Sequence, residues 1–388
     1  MSASILTRIN RWRQLHSAND SLFEREVETQ KAFLDWLPQP KDDIERSYLQ
    51  YRCQEEYPAA GWKLFVKNAC ARGLVWSLLL RTVPAKKKNR PEGQPEAAFV
   101  RTGVTQAIIP RSVQQSFRIS EFSYIGSRRL TEEERTFFKE NVWKRYRRQG
   151  YFCLKLLLRM EMYSYVLSQG TFQAIITHGE YSYTSSFLTA YCHFLGVEHI
   201  NVMHGDKLFD ITDSFFHFDR CYVWDDHFVR LFTQLRAEPT QFRVELPPAM
   251  QPWSERSVEK AVDYTYYLQT ETSQMLEKIA DNLRLLQARG AVVAVRPHPR
   301  YSDKKTVQQM FSDFLIELND EIDIESSILR TRHVIGRYST VLCQAHINGV
   351  PIVIDDLTEP TLLSQLTERQ FWGLSMPHTL LSEHTTEK

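Results

Sequence analysis

The stretch DYTYYLQTETSQMLEKIADNLRLLQARGAVVAVRPHP, residues 263–299, decides the fold. It opens on a strand-like run of aromatic and β-branched residues over 263–271. An amphipathic helix follows over 273–290 and stops at Gly290. A second run of small and β-branched residues, from 291, ends abruptly at Arg296-Pro297-His298-Pro299-Arg300. Strand, helix, strand with short connections is the unit from which parallel sheets are built.

Downstream the alternation continues. DKKTVQQMFSDFLIEL (303–318) reads as a helix and RHVIG (332–336) as a strand. STVLCQAHING (339–349) reads as a helix capped by Ser339, and VPIVIDD (350–356) as a strand. Four strands alternating with three helices make a Rossmann-like half. Just upstream, PPAMQPWSERS (247–257) is Pro-rich and polar and reads as a linker. The expected domains are therefore 1–250 and 251–388. Before the linker, short strands are expected in FQAIITHGE (172–180), VEHINVMHG (197–205), DRCYVWDD (219–226) and QFRVELPP (241–248). Helices are expected at 182–196 and from His227 onward. Residues 1–80 read mostly as helix, 84–98 as an exposed charged loop, and 99–126 as short strand-like pieces. Thr131 reads as the cap of a helix with acidic residues in its first turn and basic ones in its last, which suits the helix dipole.

With 388 residues, 43% of them hydrophobic, the chain can bury a large core and is long for one domain. A formal net charge of +1 gives no electrostatic footprint for a nucleic-acid partner. The six cysteines are scattered without a Cys-x-x-Cys pair, which points away from a disulfide framework or zinc site and toward a reducing compartment. Arg and Asn interrupt the first twenty residues, so no secretory signal is read there and a cytoplasmic location is expected. No run of 18 apolar residues exists to span a bilayer. Two segments, 62–90 and 142–160, mix aromatic and aliphatic residues with Lys and Arg. The favoured reading of each is an amphipathic helix on the core with a solvated basic edge. The other is peripheral contact with anionic lipid on the inner membrane face.

In open parallel sheets, ligands bind beyond the carboxyl ends of the strands. The residues that leave each strand of the second half are therefore informative. Arg296, His298, Pro299 and Arg300 leave one strand; Gly336, Arg337, Ser339 and Thr340 leave the next. Gln269, Thr270 and Glu271 come after the first strand, and Asp355 and Asp356 end the last. Gly336 reads as a turn feeding a helix whose first residues are Ser339 and Thr340. Free N–H donors, a positive dipole end and hydroxyls make that a ready phosphate site. His298, held between two prolines that fix the loop, reads as a donor to a phosphate oxygen or as a core histidine, with Arg296 and Arg300 adding charge that matches phosphate. In the first half Glu180 is the leading candidate for a general base and Asp206 the second, though each reads equally well as an exposed loop carboxylate or a helix N-cap partner, and His178 and His204 read equally well as structural.

RPHPR and GRYSTVLCQAHINGVPIVIDD resemble the His-Pro and Ser-Ser/Ser-Thr motifs of GT-B glycosyltransferases of bacterial surface-polysaccharide synthesis. That group comprises sialyltransferases and polysialyltransferases, capsule Kdo transferases and teichoic-acid glycerophosphotransferases. INVMHGD followed by FDRCYVWDD resembles the N-terminal half of such capsule enzymes. The resemblance covers roughly residues 172–356. It implies an α/β GT-B fold, two Rossmann-like domains facing a cleft, here with a helical N-terminal region. It also implies a CMP-sugar donor, a saccharide or lipid-linked acceptor, metal independence and no cofactor. His298 and Pro299 would be the donor-phosphate motif, and Ser339 and Thr340 the second one. The family's acidic base motif is absent in its usual form; Gly179-Glu180 is the nearest segment, with the order reversed.

The leading expectation is thus an inverting glycosyltransferase that moves sialic acid or Kdo. A nucleotide-sugar epimerase of the same fold is the second reading. A non-catalytic GT-B subunit of a polysaccharide assembly complex is the third.

Overall fold

The alternation read from the sequence becomes two six-stranded sheets in the computed structural model, in which every strand pair is parallel. The structure describes residues 25–56, 62–85, 93–101, 103–122, 126–179, 181–253 and 258–386. Contacts divide the chain into two units. The N-terminal unit holds Glu28–Gly205 and Phe209–Ala249. The C-terminal unit holds Met250–Lys388, with Asp206–Leu208 and described residues 25–27.

The strands of the N-terminal unit are β1 (Glu96–Val100), β2 (Arg118–Phe122), β3 (Ala174–His178), β4 (Glu198–Val202), β5 (Arg220–Val223) and β6 (Phe242–Val244). Their order is β2-β1-β3-β4-β5-β6. β3 lies between two neighbours, so its residues 174–177 are buried on both faces and apolar except for Thr177. Period-two alternation splits the core. Ala98, Val100 and Ile175 face one cluster with Phe152, Met160 and Phe187; Ala97, Phe99 and Ile176 face another with Ile109, Ile200 and Tyr222. The helices of this unit include α1 (Val27–Trp36), α2 (Asp43–Tyr51), α3 (Trp62–Leu78), α4 (Glu132–Phe138), α5 (Gly150–Leu167), α6 (Ser185–Phe194) and α7 (Asp226–Gln234). The helical region expected before residue 80 is therefore present within the described residues. α4 starts on a full capping box, Thr131 with Glu134, as the spacing predicts. The charged loop expected over 84–98 is shorter than its composition suggests. Glu96 already pairs with Arg118, and Ala97 and Ala98, both fully buried, pair with the two neighbours of β1.

The C-terminal unit carries β7 (Val262–Tyr267), β8 (Val293–Arg296), β9 (Leu315–Ile316), β10 (Thr331–Gly336), β11 (Ile352–Ile354) and β12 (His378–Leu380). Their order is β12-β11-β10-β7-β8-β9. This is an open doubly wound order whose direction reverses beside β7, the first strand of the unit. Its helices include α8 (Ser273–Ala288), α9 (Lys304–Met310), α10 (Ile324–Arg330) and α11 (Thr340–Ile347). α8 opens on Thr272, whose hydroxyl accepts the Met275 amide at 3.3 Å, and ends at Gly290 with φ +84°.

Two expectations for this unit are corrected. The helix expected over 303–318 stops at Met310. Phe311 and Phe314 turn into the core, and Leu315 and Ile316 pair with Ala294 and Val295 as an edge strand. The four strands expected become six, because β9 and β12 are two- and three-residue edges too short to show a period.

Candidate functional site

In an all-parallel sheet every strand delivers its following loop to the same edge. The order of the C-terminal sheet reverses between β7 and β10, so its switch-point crevice opens where Leu268–Glu271 and Arg337–Thr340 leave those two strands. The loop after β8, with His298, stands on the other side of β7. Adjacent strands are about 4.8 Å apart, so the loops after β8 and β10 flank the β7 end at roughly 10 Å from each other. The sequence-derived donor residues Gln269, Thr270, Arg296, His298, Pro299, Arg300, Gly336, Arg337, Ser339 and Thr340 are thus gathered on three neighbouring strand ends.

His298 is fixed by its own loop. Its Nδ1 accepts the backbone amides of Arg300 at 3.1 Å and Tyr301 at 3.3 Å. The His298 amide donates to Ser302 Oγ at 2.9 Å, and Asn319 holds the Pro297 carbonyl at 2.8 Å. The ring stacks on Tyr301 with centroids 4.5 Å apart. An Nδ1 that accepts two N–H groups leaves the ring proton on Nε2. Burial, aided by Arg300, holds the His298 pKa below its usual value, so the neutral ring with an Nε2 donor dominates at neutral pH.

At the β10 end, Ser339 caps α11 by accepting the Val341 amide at 3.3 Å. Ser339 and Thr340 are half-buried, and the first turn of the helix presents its N–H groups at this edge. Gly336 departs from the expectation. It is the last residue of β10, paired with Ile354, and its φ is not positive. A Cβ there would meet Leu342 at an ordinary 3.5 Å, so the turn does not require glycine.

Arg337 organises the crevice. It is 3% exposed and forms ion pairs with Glu271 at 3.0 Å and Glu359 at 2.6 Å, and it reaches the Thr270 carbonyl at 3.4 Å. Burial lowers its pKa, but the facing Glu271, Tyr266, Tyr338 and Glu359 raise it further, so the charge is secure. Glu271 accepts the Gln269 amide through both oxygens at 2.8 Å, and the Gln269 side-chain amide donates to the Tyr338 carbonyl. The loops after β7 and β10 are therefore bolted together through Arg337. That guanidinium serves two carboxylates and positions the loops rather than pointing free charge at a ligand. Glu359, some twenty residues further on, gave no sequence signal; only the fold brings it here.

Arg296 also turns inward. It is 4% exposed; burial lowers its pKa while Tyr267, Glu317 and Asp323 oppose the shift. Tyr267, Ser327, Glu317 and Arg330 form one buried network on this side, with the Tyr267 and Ser327 hydroxyls 2.6 Å apart. Arg300 and Pro299 are exposed. Asp355, next after β11, accepts Tyr266, Leu357 and both donors of Thr358, so it closes its loop and has no capacity left for chemistry.

Asp206 is half-buried, and its carboxylate stands 3.9 Å from the Cys343 thiol of α11 while accepting the Lys207 amide at 2.7 Å. Burial raises its pKa to about 7, against the opposing hydrogen bonds from Lys207 and Cys343. Glu180 lies outside the described residues.

In the N-terminal sheet the order reverses at β1 and β3. His178 ends β3 and His204 follows β4, and their rings meet edge to face at 4.7 Å. Gly179 has φ +60°, and a Cβ there would lie 2.4 Å from His204 Cε1. The His-Gly dipeptides of the sequence thus meet because one glycine gives the other histidine room.

No protein-family model matches the chain, and no curated protein matches it. Among solved structures, a UDP-N-acetylglucosamine 2-epimerase from Rickettsia bellii is similar at 12% identity, over 75% of this chain and 92% of that one, with a TM-score of 0.46. The glycotransferase of kitacinnamycin is similar at 9% identity, over 72% and 86%, TM-score 0.42. The wall teichoic acid polymerase TagF is similar at 10% identity, over 74% of each chain, TM-score 0.36. At such identities and scores no residue role passes from them to this chain. The α/β class, with two Rossmann-like sheets as in GT-B proteins, rests on the strand orders themselves.

Proposed function

We propose that the protein is a metal-independent, inverting glycosyltransferase that takes a sugar from a nucleotide-activated donor. The CMP-linked sugars sialic acid and Kdo are the donors we put first, and a saccharide or lipid-linked glycan is the acceptor. The C-terminal unit is the donor-binding domain in this reading, and the N-terminal unit serves the acceptor. The observation that carries the proposal is the neutral His298, its Nε2 proton free for a phosphate oxygen, across the β7 end from the N-terminus of α11.

As the glycosidic bond breaks, negative charge grows on the leaving phosphate. A preorganised Nε2–H donor and the first N–H groups of a helix stabilise that charge without a metal. Ser339 and Thr340 add hydroxyl donors on the loop that Arg337 ties to the end of β7, while His298 is fixed by its own loop. An inverting transfer also needs a base for the acceptor hydroxyl. Asp206, with a pKa near 7, has a suitable proton affinity, and Glu180 is the other candidate.

The test is nucleotide release from a panel of CMP-, CDP- and UDP-linked compounds, with and without saccharide acceptors. His298→Ala is expected to lower turnover by about 10²–10³-fold while the protein stays folded. Turnover of every compound unchanged by the substitution would sink the proposal. An altered sugar formed without any acceptor would assign the site to an epimerase instead.

A further inference from the structure

Helix α3 shows an apolar side to solvent. Ala71, Val75 and the following Leu79 recur every four residues and are buried, and the helix lies along α5. On the opposite face Trp62, Phe65, Val66, Trp76 and Leu80 are 75, 73, 46, 63 and 61% exposed. The spacing 62-65-66-69-73-76, with Ala69 and Gly73 filling the gaps, is one continuous stripe of the helix, and Leu80 follows in the turn beyond its end. Beside the solvated cations expected for this segment, such as Arg72, runs an exposed aromatic ridge. Contiguous apolar surface of this kind marks a contact surface.

The charge around the ridge selects the partner. Residues 62–91 contain no Asp or Glu. On α5 the one acidic residue, Glu161, is 5% exposed and paired with Arg129 at 3.1 Å. The two helices thus show solvent cations such as Arg72 and Lys155, and apolar groups, but no exposed carboxylate. A second copy docked through the same face would set these cations against themselves. A bilayer with anionic headgroups complements them, while Trp rings favour the headgroup boundary. Among the described residues no helix is long and apolar enough to cross a membrane, so such a contact lies in the surface plane.

We infer that the α3 ridge is an interfacial anchor that seats the N-terminal unit on an anionic lipid surface. The inference rests on this helix pair alone and is independent of the nucleotide site. The experiment is co-sedimentation of the full chain with phosphatidylglycerol/phosphatidylethanolamine vesicles and with pure phosphatidylcholine vesicles. Wild type should pellet with the anionic vesicles and lose most binding at high salt. Trp62→Ser/Phe65→Ser/Trp76→Ser should lower the partition coefficient at least tenfold with an unchanged melting temperature. Trp62→Phe/Trp76→Phe, which keeps the face apolar, should still bind but lose most fluorescence quenching by brominated lipid. Equal pelleting of wild type and the triple serine variant would overturn the inference. So would a triple variant that changes a dimer to a monomer while wild type ignores vesicles, which would give the ridge to a second copy.

Discussion

At the carboxyl edge of the C-terminal sheet the side chains are charged and tied together: Arg337 to Glu271 and Glu359, Gln269 to Tyr338, His298 to its own loop. At the same edge of the N-terminal sheet they are rings packed around a glycine, His178 against His204 at 4.7 Å over Gly179. The strand order differs in the same way. The switch point falls between the unit's first and fourth strands in one and between the first and third in the other. Two sheets of equal size can therefore carry different chemistry, because the loops and not the strands make the site. Fixed donors and a helix N-terminus suit a phosphate. Two imidazoles beside a left-handed glycine make a tighter, less charged edge.

The sharpest break of this contrast is at Arg337. Arg337→Met leaves Glu271 buried without its cation, and the expected cost is about 3–5 kcal/mol in urea unfolding. Replacing Glu271 by Gln in the same chain should restore part of that loss. An unchanged unfolding midpoint in the single variant would show that the clamp does not hold the two loops.

The two strand-end glycines give the next test. Gly179→Ala forces a β-carbon into a left-handed backbone and against His204, at an expected cost of about 1–3 kcal/mol. Gly336→Ala meets only an ordinary contact in an allowed backbone, so its melting temperature should move by the equivalent of about 1 kcal/mol or less, in either direction. Equal effects at both sites would mean that the edges do not differ as described.

The smallest effect is expected at the cap of α11. Ser339→Ala removes the acceptor of the Val341 amide and should cost about 1 kcal/mol in stability. If the helix N-terminus binds the donor phosphate, the same change raises the donor KM more than it lowers kcat. A KM equal to wild type would leave Ser339 a structural cap only.

Histidines show how far sequence reading reaches. His298 between two prolines stood out by its neighbours, and the structure shows why the segment is rigid. His199 gave no such signal. It is fully buried between Tyr163 at 3.0 Å and Thr189 at 2.8 Å, and burial pulls its pKa down to about 3, so it is a neutral core group. The two histidines differ because the partners of His298 lie within four residues of it, whereas those of His199 come from α5 and α6.

The sequence by itself determined what short-range physics controls. That includes the strand–helix alternation of 263–356, the caps at Thr131 and Ser339, and the stop at Gly290. Each depends on residues within a few positions of one another. Only the tertiary structure decided which strands are neighbours, that Leu315–Ile316 and His378–Leu380 are sheet edges, and that Arg337 finds two carboxylates up to 66 residues away. It also decided which side of α3 faces out. A helix whose apolar residues are spread around its circumference has no preferred inside until the core against which it packs exists.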